Sequence, residues 1–198
     1  MTIKVLDDIF QYLGILLLFL NVILYTKSHN RYKAIMAYKF ILIYLIISLI
    51  SSVSTEYLYT KKEPNIYITH LFFTSQFILL SLFYLELFKK KQKKLVKIIF
   101  IITLILLATQ YLDPKNLIEY NVLEIFITSL PLILYSIIHL YNSLVKKGKF
   151  MYINAGILIY LSSSSLIFFL GNYLKKIDQD VANNIWLLLK VMYAFYLI

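Results

Sequence analysis

The sequence predicts an all-α integral membrane protein: one polytopic domain over residues 1–198 with seven transmembrane helices. Three observations predict it. Apolar residues make up 61% of the chain and the mean hydropathy is +0.76, above the roughly 45–50% apolar content of soluble domains. Seven apolar segments of 16 to 21 residues recur along the chain, close to the ~20 residues a helix needs to cross a bilayer. Lysines cluster in the short stretches between several of these segments, as they do in cytoplasmic loops.

The segments run from Ile9 to Tyr25, Tyr38 to Val53, Ile68 to Phe88, Leu95 to Tyr111, Val122 to Tyr141, Tyr152 to Gly171 and Val181 to Ile198. The strongest orientation signal is the run Lys89, Lys90, Lys91, Lys93, Lys94 and Lys97. Placed in the cytoplasm, it puts the loops after segments one and five on the same side, with Arg31, Lys33, Lys146 and Lys147. That side then holds thirteen basic residues against six on the other, and only Glu86 of the ten acids. The N-terminus is expected outside and the C-terminus in the cytoplasm. Asp7 and Asp8 precede the first segment and no basic run does, so no cleaved signal peptide is expected.

Sliding the chain by 116 residues aligns Ile9 to Ser48 with Ile125 to Ser164 at 13 identities in 40 gapless positions. The match includes Ile41-Leu42-Ile43-Tyr44-Leu45 on Ile157-Leu158-Ile159-Tyr160-Leu161. It predicts a 3+1+3 layout: a first three-helix repeat over 9–88, a linker helix over 95–111, and a second repeat over 122–198. Such repeats are related by an axis along the membrane normal. Tyr25 and Tyr141 would then be equivalent, as would Tyr44 and Tyr160.

The net charge of +10 favours anionic lipid headgroups over direct nucleic-acid binding, because the basic residues lie beside apolar spans. There is no cysteine, which excludes disulfides, thiolate metal sites and cysteine nucleophiles. No paired intramembrane aspartates, HExxH or Gly-flanked serine occur, so an enzyme is not expected. No metal or cofactor is expected either.

Read on a helical period, most segments carry a polar stripe. It includes Asn21 in segment one, His70 in three, Ser136 and His139 in five, and Ser162 and Ser165 in six. Segment seven adds Asn183, Trp186, Lys190 and Tyr193. Small and hydroxylated residues at helix contacts allow close packing; the functional reading is a polar cavity in the bundle core. Lys190 strains the packing reading. It lies about 13 Å inside its helix at 1.5 Å per residue, and charges at such depth are costly and usually functional. The expectation is that no acid shares its level, so that its charge is hydrated or met by a ligand.

The stretches Tyr152-Ile153-Asn154-Ala155-Gly156-Ile157-Leu158-Ile159-Tyr160 and Phe168-Phe169-Leu170-Gly171-Asn172, with Trp186 opening the last segment, resemble small seven-helix inner-membrane proteins of AT-rich bacteria. Some of those look like companions of sensor kinases; the accessory membrane protein of type VI-B CRISPR systems is similar in size and hydropathy. The resemblance implies a non-enzymatic sensor or accessory subunit with a cytoplasmic protein partner, and its CRISPR side implies a place in antiviral defence. The basic loops would be its docking face. The 3+1+3 layout also resembles sugar transporters and PQ-loop proteins, whose Pro-Gln pairs are absent here. It implies the alternative, a small-solute transporter or oligomeric pore. A lysine in the seventh helix is similar to the retinal site of rhodopsins, a third reading that lacks a mid-membrane carboxylate in segment three.

Overall fold

The computed structural model describes residues 3–145, 148, 150–174 and 179–198 and contains no strand among them. Its helices are α1 (Ile3–Tyr32), α2 (Met36–Lys61), α3 (Ile66–Leu87), α4 (Lys90–Gln110), a single turn α5 (Lys115–Ile118), α6 (Val122–Val145), α7 (Met151–Leu174) and α8 (Gln179–Leu197). Each of the seven apolar segments is a helix. The helices overrun the segments because terminal turns carry polar residues that apolarity alone assigns to loops. The first begins at Ile3, six residues before the segment boundary at Ile9, so Asp7 and Asp8 are helical. The α2–α3 turn is set by Lys62, whose left-handed φ of 59° lets its N–H and that of Glu63 close on the last carbonyls of α2.

Among the described residues, five helices are long and apolar enough to cross a membrane: α1, α2, α3, α6 and α7. The other two expected spans, α4 and α8, do not meet that measure. In α4, Lys90, Lys91, Lys93, Lys94 and Lys97 occupy the first eight positions. In α8, Asp180, Asn183, Asn184 and Lys190 dilute the apolar run.

Six long helices close a ring. Each of α1, α2 and α3 packs on the next; α3 packs on α6, α6 on α7, α7 on α8, and α8 returns to α1. Helix α4 lies against α3 and α6, with Val96, Thr103 and Leu107 buried and Ile98, Ile101, Ile102 and Ile105 turned away. A reciprocal amide pair, Gln92 with Asn142 at 3.1 Å in both directions, ties its start to the end of α6. The alternating chain gives the bundle two faces. One carries the start of α1 and the α2–α3 turn (the N-terminal face); the other carries the lysine run (the lysine face).

The repeated residues keep their environment in α2 and α7. Ile41 and Ile157, Leu45 and Leu161, and Ser48 and Ser164 are all buried, while Ile43 and Ile159 are both exposed. In α1 and α6 they do not. Leu18 is buried and Leu134 exposed; Leu16 is exposed and Leu132 buried. Tyr25 stacks on Tyr38 at 5.2 Å, whereas Tyr141 is exposed.

Candidate functional site

The expected single polar core is divided into separate clusters. The first is a cavity of about 350 Å³ near the N-terminal face, between α1, α2, α3, α7 and α8. Its polar wall is Gln11, Ser51, Ser52, Thr55, Thr69, Tyr160, Lys190 and Tyr193, together with Tyr120 from the connection before α6. Phe72, Phe73 and Phe168 give it an apolar side. The Tyr120 hydroxyl is buried without a hydrogen-bond partner, and burial pushes its pKa up, so it stays a neutral donor.

Lys190 meets an acid after all. Its Nζ donates to Asp7 Oδ2 at 2.7 Å, with the two side chains 28% and 34% exposed. The correction has a physical basis. Asp7 belongs to α1, which packs beside α8, and the long lysine stem carries its ammonium toward the N-terminal face as snorkelling side chains do. The pair cancels the charge that depth makes costly and leaves Lys190 in the cavity wall.

The other candidates of segment seven scatter. Tyr193 lines the cavity beside Lys190. Trp186 is half-buried, with its ring 5.7 Å from Phe168, one residue behind the wall. Asn183 is exposed in the second turn of α8, outside the core expected for it. Ser162 is half-buried. Ser165 is buried and its Oγ has no hydrogen-bond partner.

A second cluster forms between α3, α4 and α6, where His70 lies. Its Nδ1 pairs with Glu124 Oε2. Tyr111 donates to Glu124 Oε1 at 2.6 Å, and Thr74 lies 3.0 Å from the Tyr111 hydroxyl. Glu124 is 1% exposed. It was expected near the outer surface, yet it occupies the first turn of α6, where the helix dipole favours a carboxylate and Asn121 Oδ1 caps its N–H at 3.2 Å. Sequence reasoning missed this pair; the signal was an acid inside the bounds of an apolar segment.

The third cluster lies toward the lysine face, between α3, α6 and α7. Tyr84 donates to Asn154 Oδ1 at 2.7 Å, Ser136 bonds the same oxygen at 2.9 Å, and Asn154 Nδ2 returns to Ser136 O at 3.0 Å. His139 packs against Tyr84, with ring centroids 6.3 Å apart. So Ser136 and His139 belong to a closed helix contact away from Lys190.

Asn21 belongs to a further cavity of about 270 Å³ toward the lysine face, lined by α1, α2, α7 and α8. It donates to Leu197 O at 2.6 Å and so ties α1 to the end of α8. Of the basic docking face, Arg31, Lys33, Lys89, Lys90, Lys91, Lys94 and Lys97 are exposed and Lys93 is half-buried. Lys146 and Lys147 lie outside the described residues. Among the described residues no group of three or more His, Asp or Glu could hold a metal. No known protein-family model, curated protein or solved structure matches the chain.

Proposed function

We propose that the chain is a non-enzymatic protein of the bacterial inner membrane that binds a small solute in the Lys190 cavity and signals to a cytoplasmic partner. In this reading all seven long helices are embedded, with the N-terminal face outside. Helices α4 and α8 are completed by partners within the bundle rather than by length and apolarity alone. The matched burial of α2 and α7 supports the repeat, and the unmatched burial of α1 and α6 speaks against extending it to that pair. The exposed lysines lie on the opposite face from the cavity, where they would meet anionic headgroups and the partner.

The observation that carries the reading is the cavity itself. It combines an ion pair, several hydroxyls and an aromatic side, the mixed lining of small-molecule sites. A ligand carboxylate would compete with Asp7 for Lys190, and a ligand ammonium would take Asp7. A carboxylate or a zwitterion is therefore the favoured class.

Trp186 is the sole tryptophan, one contact behind the cavity wall, and supplies the test. Its fluorescence in the purified full chain, titrated with acetate, benzoate, glycine and phenylalanine, is expected to change saturably with at least one of them. The change should be lost in Lys190→Met and partly kept in Lys190→Arg, because Arg retains the charge. No saturable change with any of the four, or an equal change in Lys190→Met, would sink the reading.

A further inference from the structure

The two cavities share one axis. On α1, α2 and α7 they occupy opposite halves, marked by Gln11 and Asn21, Ser52 and Ile41, and Phe168 and Ile153; on α8 they follow one another within its second half, at Lys190 and at Leu197. Between them stand four tyrosines. Tyr160 and Tyr193 face the N-terminal cavity, and Tyr44 and Tyr196 face the other. Tyr160 stacks on Tyr196 at 4.9 Å, and Tyr193 lies 5.4 Å from Tyr160 and 6.3 Å from Tyr196. Gln76 Nε2 donates to the Tyr44 hydroxyl at 3.1 Å.

We infer that the two cavities are halves of one passage for a small carboxylate or zwitterionic solute, gated by this tyrosine layer. The inference adds translocation to the binding proposed above and rests on the N-terminal cavity being open. Several features support a gate over a fixed plug. The layer is held by side chains, so rotation about tyrosine χ1 opens it while the backbone stays helical. Its hydroxyls have alternative partners on both sides, including Ser51 and Ser52 above and Asn21 below, so a rotated ring keeps a hydrogen bond. Two of the chain's four glycines seat the rings. A Cβ on Gly14 would stand 3.2 Å from the Tyr193 ring, and one on Gly156 would stand 3.3 Å from Tyr196. Glycine disfavours a helix interior, and here its lack of a side chain leaves the room in which these rings sit.

The chain has no cysteine, so a single Ser52→Cys reports access to the N-terminal cavity. The probe is Ag⁺ in chloride-free vesicles of either orientation, read as protection of the cysteine from later maleimide labelling. In otherwise unchanged full-length chain, Ag⁺ is expected to reach position 52 quickly from the N-terminal face. From the lysine face it should arrive slowly but above the leak seen with vesicles lacking the protein. Adding Tyr196→Ala or, separately, Tyr44→Ala should speed the lysine-face reaction at least tenfold while the N-terminal-face rate stays constant, which also certifies the fold. Lysine-face rates that stay at the parent's level in both variants overturn the inference. So does a parent that shows no lysine-face reaction at all, which would identify a permanent plug. A cysteine reached from neither face would sink the binding reading and this one together; one reached only from the N-terminal face sinks this one alone.

Discussion

The two sides of the helix ring treat their polar residues differently. Where α3, α4 and α6 meet, and on into α7, many polar side chains bond one another: His70 with Glu124, Tyr111 with Thr74, Tyr84 with Asn154 and Ser136, while His70 Nε2, Ser81 Oγ and Asn121 Nδ2 are buried without a hydrogen-bond partner. Where α1, α2, α7 and α8 meet, many of them face open space in two cavities. Buried polar groups without partners are expensive, so a bundle that keeps them must either pair them or leave room for something that will. The first side pairs most of them in direct side-chain contacts, and those contacts fix helix register. The second leaves room, and its residues are the ones available to a ligand.

That contrast predicts unequal mutational costs. The largest belongs to Glu124. Glu124→Ala leaves His70 and Tyr111 without their shared acceptor, and breaking a buried pair costs about 3–5 kcal/mol. A thermal melt of the detergent-solubilised protein should show the loss. Replacing both partners, as in His70→Phe with Glu124→Met, should recover most of it, since apolar substitutes of similar volume can match a buried ion pair. A double variant as unstable as the single one would mean that the pair does more than satisfy its own members.

Lys190 should behave in the opposite way. Its bond to Asp7 is about a third exposed, and pairs of that kind contribute about 1 kcal/mol or less. Lys190→Met should therefore melt close to the parent while losing the ligand response of Trp186. A Lys190→Met protein that unfolds as readily as Glu124→Ala would move Lys190 to the structural side of the comparison.

Much of this fold is legible in the sequence, because apolar segment length and helical period are local properties. All seven helices, and the inward placement of Ser48, Ser129, Ser136 and Ser165, follow from them. What the sequence hides is which helix lies beside which. Asp7 reads as a loop residue until α1 is seen to extend to Ile3 and to pack on α8. Glu124 reads as a surface acid until His70 and Tyr111 close on it from two other helices. Asn21, Ser136 and Lys190 share a stripe character but belong to three different clusters, a distinction set by the ring order alone. Among the described residues five helices satisfy length and apolarity, and these local measures do not reach α4 and α8, whose lysines and polar residues interrupt the apolar run.

The most direct test of the difference between the two sides is the reactivity of one cysteine on each, in membranes open to a water-soluble maleimide on both faces. Thr55→Cys sits in the N-terminal cavity wall, and Ser136→Cys sits in the Tyr84–Asn154 contact. Thr55→Cys should label faster by about tenfold or more, the factor that a further ~1.4 kcal/mol of opening would impose on the packed site. Equal rates would contradict the account, because the cavity would then be no more open to a ligand than the bundle's packed core.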